Sequence, residues 1–274
     1  MKYLILGSAG VVGLPLCSLL RNFGHEVLTY DIADSASQDL RNFNDSLLES
    51  YFEECDFVFH LAWDVGGSVY LSKYQHSFDF VQNNLKIMVN SFELLKRYQK
   101  PFIFASSQMS NMSFSSYGLT KAVGEKLTSS LNGLIVKFWN VYGYEHDLEK
   151  SHVITDFIIK ARDHRSIDMM TDGTEQRQML HTNDCSECLY TLSQQYTTLS
   201  KDKEYHITSF EWTDIRSIAN IVAKQFPDTT IIPGVSKDTG QQDQRNQPDS
   251  HILNYWKPKI SLEDGIKLIV EAMK

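Results

Sequence analysis

The sequence predicts an α/β protein built on a doubly wound parallel sheet, with a smaller C-terminal lobe. Three observations carry that expectation. Apolar runs of strand length alternate with amphipathic segments of about 10–15 residues, the pattern of βαβ units. A glycine-rich turn joins the first run to the first helix. After about residue 144 the alternation gives way to shorter, less regular elements.

Residues 2–6 are apolar after Lys2, as in a strand covered on both faces. Residues 11–23 follow as a helix that Gly24-His25 ends; Pro15 sits in its first turns, where main-chain N–H groups lack intrahelical partners. Residues 26–30 form a second strand closed by Asp31. The rhythm repeats as strand 56–61, helix 83–97, strand 102–105, helix 117–130 and strand 134–138. Beyond it the pattern predicts helices at 153–161, 185–194, 214–224 and 262–273, and short strands at 206–208 and 230–232. Residues 234–250 read as a polar loop. A dinucleotide-binding domain is expected over 1–144 with about 184–208, and a substrate lobe over about 145–183 with 209–274.

The 274-residue length suits one domain or two closely packed ones. Lys and Arg number 26 against 34 Asp and Glu, a net charge of −8, and no basic run offsets it, so nucleic acid is an unsuitable partner. The uncharged stretch from Tyr3 to Leu20 imitates a membrane segment, but Gly7, Gly10, Gly13 and Pro15 interrupt it; no membrane partner is expected. Cys185 and Cys188 form a lone CxxC without a second pair or a zinc-spaced histidine, so no metal site is expected. Four cysteines without a disulfide framework fit a reducing, cytoplasmic compartment.

The turn Gly7-Ser-Ala-Gly10-Val-Val-Gly13 has the chemistry of a pyrophosphate cradle. Its glycines allow a tight bend and close backbone approach, and the helix behind it offers free N–H groups and a positive dipole end. This is the phosphate-binding turn of a Rossmann-type sheet, expected to use the main chain of Gly7, Gly10, Val11, Val12 and Gly13. Asp31, at the end of the second strand, can accept hydrogen bonds from adenosine ribose hydroxyls and would repel a 2′-phosphate, which favours NAD over NADP.

Taken in order, further segments resemble one family, the extended short-chain dehydrogenase/reductases and among them the nucleotide-sugar epimerases and dehydratases. They are Asp39-Leu40, His60-Leu61-Ala62, Asn84 with Asn90, Ala105-Ser106-Ser107, Tyr117-Gly-Leu-Thr-Lys121, Asn140-Val-Tyr-Gly143, Arg177 through His181 to Asp184, and Trp256-Lys-Pro258. The resemblance implies that Asp39 and Leu40 lie on the adenine side, that Leu61, Ala62 and Asn84 line the cofactor, and that Lys121 bonds the nicotinamide ribose. It implies a nucleotide-diphosphate sugar as substrate, with Asn140, Arg177 and Arg245 on its phosphates, and a homodimer paired through helices 83–97 and 117–130.

The YxxxK pair also has a reading of its own. Residues i and i+4 share a helix face, so Lys121 lies beside Tyr117, and a nearby ammonium is expected to lower the phenol's pKa toward neutrality. Tyr117 is then the group that exchanges a proton with a sugar hydroxyl, and Ser107 resembles the family's hydroxyl beside it. Only Gln108 to Ser116 separate these two, a shorter stretch than the family has. Gln108 and Met109 stand where dehydratases carry acidic groups, and neither can transfer protons in water elimination. Ser151-His152-Val153-Ile154 resembles the segment bearing the catalytic histidine of GDP-fucose synthases, and His152 alternatively caps the helix after it. His181 and Asp184 are expected to pack against and cap a helix starting at Cys185. The leading expectation is an epimerase retaining NAD; a keto-sugar reductase or epimerase-reductase and a non-catalytic dinucleotide sensor are the alternatives. Sugar specificity is expected within 63–80 and 234–250.

Overall fold

The computed structural model describes residues 1–236 and 246–274. The first half runs β1 (Lys2–Leu6), α1 (Gly13–Asn22), β2 (Glu26–Tyr30), α2 (Ser46–Glu54), β3 (Phe57–His60), α3 (Ser68–Tyr74), α4 (Phe78–Tyr98), β4 (Phe102–Ser107), α5 (Ser116–Ser130) and β5 (Leu134–Phe138). The second half runs β6 (Asn140–Tyr142), α6 (Val153–His164), β7 (Ser166–Asp168), β8 (Gln176–Arg177), β9 (Met179–His181), α7 (Thr182–Gln194), β10 (Glu204–Ile207), β11 (Thr213–Asp214), α8 (Ile215–Ala223), β12 (Thr230–Ile232) and α9 (Leu262–Ala272). Short 3₁₀ turns occupy Gln108–Asn111, Leu148–Lys150 and Ser250–Asn254.

Six strands form one parallel sheet in the order β10-β5-β4-β3-β1-β2. Burial on both faces explains the apolar runs: Tyr3 and Ile5 of β1 enter one core with Leu16, Leu20, Leu189 and Leu192, while Leu4 and Leu6 enter another with Phe52, Met88 and Phe92. The chain leaves β1 for β2 on one side and returns to β3 on the other. This reversal opens a crevice beyond the C-terminal strand ends, where ligands bind in open α/β sheets. A third core is built from α6, α8 and α9, with Ile158, Ile218 and Ile269 at its centre. Three two-stranded pairs, β6 with β9, β7 with β12 and β8 with β11, tie this part together.

The sequence pattern omits α2, α3, β6 to β9 and β11, which are short or lack a sustained apolar period. Two boundaries differ in ways that touch the site. Strand β4 runs on through Ser106 and Ser107 because both pair with β5, opposite Lys137 and Phe138. Helix α7 starts at Thr182 rather than Cys185; His181 Nδ1 caps it by accepting from Asn183 N–H at 3.2 Å. Asp184 therefore lies inside the first turn, and its carboxylate accepts from the N–H groups of Lys259 and Ile260 at 2.9 and 2.8 Å, docking the C-terminal segment.

Candidate active site

The glycine turn lies at the switch point between β1 and β3. Gly7 has φ +88°, and a Cβ there would come within 2.6 Å of the Ala62 nitrogen, so only glycine lets the turn lie against the Leu61-Ala62 backbone. A Cβ on Gly13 would overlap Gly7 O, which locks α1 against the strand. Gly10 differs: the nearest atom to a Cβ built there is Gly7 O at 3.5 Å, and the space around it is open. Helix α1 begins without a side-chain cap and without an acid in its first turn. The Val11, Val12 and Gly13 end thus presents an uncapped helix N-terminus beside an open glycine, which fits a pyrophosphate.

Asp31 joins this turn to the end of β2. Its carboxylate accepts from Ala9 N–H and Ala33 N–H, each at 2.9 Å, and retains acceptor positions for ribose hydroxyls. Asp39 is held by a bidentate pair with Arg41, at 2.8 and 3.0 Å from Nε, and lies below the usual carboxylate range because of that partner. Leu40 is buried next to it, and its carbonyl accepts from Asn90 Nδ2 at 2.9 Å. Asn84 is fully buried beneath the loop after β3. Its carboxamide accepts from Asp64 N–H at 2.8 Å and donates to Asp64 O at 3.0 Å and Phe80 O at 3.2 Å, so here it braces the loop carrying Leu61 and Ala62. These residues, expected from the sequence to line the cofactor, thus lie around the C-terminal ends of β1, β2 and β3.

Tyr117 and Lys121 project from α5 beside the end of β4. Ser115 caps this helix, accepting from Gly118 N–H at 3.0 Å. Lys121 is buried; its ammonium donates to Ala105 O at 2.6 Å and lies 4.0 Å from the centre of the Trp63 ring, 5.1 Å from Phe104 and 6.0 Å from Tyr117. Ser107 Oγ accepts from Met109 N–H at 3.1 Å and hydrogen-bonds Tyr117. The main-chain donor leaves the serine proton free to point at the phenol oxygen or a reacting oxygen.

The charge states correct the sequence reading. Burial pushes the Tyr117 phenol up to about 12, and the Ser107 hydrogen bond only moderates the rise. Burial likewise drives Lys121 well below its ordinary value, with Glu125 opposing the drop. The expected lowering of the phenol by Lys121 is absent because the ammonium points at Ala105 O and lies against Trp63, in surroundings too dry to favour either charge.

On the lobe side, Asn140 opens β6, and its Oδ1 is buried without a partner among the described residues. The register Asn140↔Met179 brings Arg177, on β8, to the same region; its guanidinium donates to Gln176 O at 2.7 Å. His152 is the N-cap residue of α6, and its imidazole Nδ1 lies 2.6 Å from Glu145 Oε1. Gln108 and Met109 are buried in the 3₁₀ turn after Ser107, where Asn246 Nδ2 donates to Gln108 O at 2.7 Å. Arg245 lies outside the described residues.

A family model for the NAD-dependent epimerase/dehydratase family matches residues 3–208. The chain belongs to this family. A putative UDP-glucose 4-epimerase of Methanocaldococcus jannaschii is 24% identical over 99% of this chain and 98% of its own length. Among solved structures, the UDP-glucose 4-epimerase of Thermotoga maritima, determined with UDP-glucose, superposes with TM-score 0.81 at 18% identity, covering 100% of this chain and 98% of that one. A GDP-6-OMe-4-keto-L-xylo-heptose reductase from C. jejuni superposes with TM-score 0.82 at 19% identity, covering 99% and 97%. At such identities these likenesses establish the Rossmann-like fold, and epimerases and reductases share it. As in its family, the cofactor is NAD, and the glycine turn, the uncapped α1 and Asp31 fit it.

Sequence reasoning did not single out three side chains here: Trp63 over Lys121 and Asp64 on Lys150, expected only as part of the 63–80 segment, and Glu145 on His152. All three lie in irregular loops and meet their partners from distant parts of the chain, so no periodicity marks them.

Proposed function

We propose that the protein is a nucleotide-sugar epimerase that oxidises a sugar hydroxyl transiently to a ketone and reduces it on the other face. The observation supporting this most is the meeting of Tyr117, Ser107 and Lys121 one loop away from the glycine turn: Gly7 lies against the Leu61-Ala62 backbone, and Trp63, next in that loop, covers Lys121. NAD bound at the turn supplies the hydride acceptor and donor. Tyr117 exchanges the proton of the reacting oxygen, and Ser107 donates a second hydrogen bond to that oxygen and orients it. Lys121 anchors the ribose end of the cofactor. Asn140 and Arg177 hold the sugar diphosphate, a guanidinium fork suiting the two phosphates. Arg245 is assigned to the same diphosphate from the sequence resemblance. The active species is a homodimer joined through α4 and α5.

The test is turnover of a panel of UDP- and GDP-hexoses without net consumption of cofactor. Tyr117→Phe should reduce kcat by about 10²–10⁴-fold and leave NAD affinity within a few-fold of wild type. Full activity in that variant, or no NAD binding by the wild type, overturns the reading.

One observation favours a second reading, an epimerase-reductase acting on a keto-sugar: His152 carries a buried carboxylate partner, as a working imidazole does. Stoichiometric loss of NADH with a keto-deoxy-sugar nucleotide would select it.

A further inference from the structure

Trp63 follows Leu61-Ala62 in the loop after β3, so two neighbouring residues reach both ends of the site. Ala62 lies against Gly7 of the glycine turn, and the centre of the Trp63 ring is 4.0 Å from the Lys121 ammonium. The loop behind the indole is braced. Asn84 accepts from Asp64 N–H at 2.8 Å and donates to Asp64 O at 3.0 Å. The Asp64 carboxylate accepts from the Tyr70 hydroxyl at 2.7 Å and from Lys150 at 3.0 Å. The indole also meets Phe104 edge-on, with ring centres 5.8 Å apart, and His60 at 6.4 Å.

Among the described residues no carboxylate forms an ion pair with Lys121. Glu125, one turn further along α5, is engaged elsewhere. Its Oε1 accepts from the Ser106 hydroxyl and lies 3.4 Å from the Lys137 ammonium, which also meets Glu204 at 2.8 Å. The other titratable groups about Lys121 are uncharged near neutrality: Tyr117 is a phenol pushed up to about 12, and His60 an imidazole driven down to about 3. Asp64, beside the indole, is matched by Lys150. Burial opposes the charged form of Lys121, and what supports it is the Ala105 carbonyl at 2.6 Å together with the Trp63 and Phe104 rings. Of all side-chain rings, tryptophan attracts a desolvated cation most strongly. The indole also carries a cost that phenylalanine would avoid, because its Nε1 is buried without a partner among the described residues. Filling space does not call for that nitrogen, whereas holding a cation favours the more electron-rich ring.

We propose that Trp63 is a positioning residue acting through Lys121: its π face takes the place of a counter-ion and fixes the ammonium on Ala105 O, leaving the remaining N–H donors for the cofactor ribose. This rests on the ribose role given to Lys121 above. A carboxylate in the same position would compete for those donors, and a ring face does not. Cofactor grip and the charge of Lys121 are thus governed together by the electron density of one indole.

The test varies that electron density at constant shape. In the full-length protein, Trp63 is replaced site-specifically by mono-, di- and trifluorotryptophan, with Trp63→Phe and Trp63→Leu alongside. NAD affinity, measured by calorimetry, should fall stepwise with each fluorine, and Trp63→Leu should bind about tenfold more weakly than wild type. In protein stripped of cofactor, the ¹⁵N signal of Lys121 Nζ is assigned with Lys121→Met and titrated. Losing the π face removes support from the cation, so the midpoint should fall by about one pH unit in Trp63→Leu and by smaller steps across the fluorinated series. A packing role alone predicts equal NAD affinity and an equal Lys121 midpoint in all the fluorinated proteins, and that result overturns the proposal. NAD binding by Lys121→Met as tight as wild type overturns the ribose role instead, while a stepwise midpoint still upholds the pairing of Trp63 with Lys121.

Discussion

His60 shows what burial does to a single side chain. Its ring is fully enclosed, Nε2 meets Ser91 Oγ at 2.6 Å, and Nδ1 is buried without a partner among the described residues. Burial, helped by the nearby Lys121, drops its pKa from 6.5 to about 3. Below pH 6.5 the unfolded chain takes up a proton that the folded chain refuses. The stability this histidine contributes is therefore complete above pH 6.5 and is lost as pH falls toward 3. The slope is about 1.4 kcal/mol per pH unit for one proton. Urea titrations between pH 7 and pH 5 should show that dependence, and His60→Gln should flatten it by that amount; equal slopes would refute it. The sequence resemblance singled out His60, Tyr117 and Lys121, because motifs are local. Their charge states were hidden, because Phe104, Trp63 and Ala105 come from other elements to dry and engage them.

Among the elements, the short 3₁₀ turn Gln108–Asn111 explains how so brief a connection can link Ser107 to Tyr117. It packs directly on α5: a Cβ on Gly118 would overlap Met109 O, and Met112 N–H closes the turn on that same carbonyl at 2.9 Å. Gly118→Ala should cost about 1–3 kcal/mol of stability, through overpacking against main chain that cannot give way. It should also raise KM for the sugar more than it raises Kd for NAD, measured by steady-state kinetics and calorimetry. An unchanged urea midpoint would show that the turn yields freely. The inner strands β1, β3, β4 and β5 were legible because both faces are buried and their apolar runs are nearly continuous. Helix α3 was not: none of its residues is buried, so no apolar stripe marks it. Strands β8 and β11 are two residues each, too short for any period to register.

For the molecule as a whole, the exposed apolar side chains Leu85 and Val89 on α4 and Leu119 and Val123 on α5 lie on two helices that pack together. An apolar surface spread over adjoining helices suits burial against a second copy. Sedimentation should give twice the 31.5 kDa chain mass, and Val89→Lys with Val123→Lys should give monomers of native circular dichroism. A monomeric wild type would refute the dimer. At this scale the sequence disclosed the sheet and the change of rhythm near residue 144. The third core was not legible, because α6, α8 and α9 are far apart in the chain and become neighbours only through folding.

Between β5 and β6 there is a single residue, Trp139, although β5 belongs to the large sheet and β6 pairs with β9. Ser107 is paired with Phe138, so Asn140 stands two positions further along the same extended backbone. Under the proposed function, in which Ser107 meets the reacting oxygen and Asn140 the diphosphate, the reach between them is set like marks on one ruler. A sugar of the wrong length would then be refused by covalent geometry before any loop closes over it.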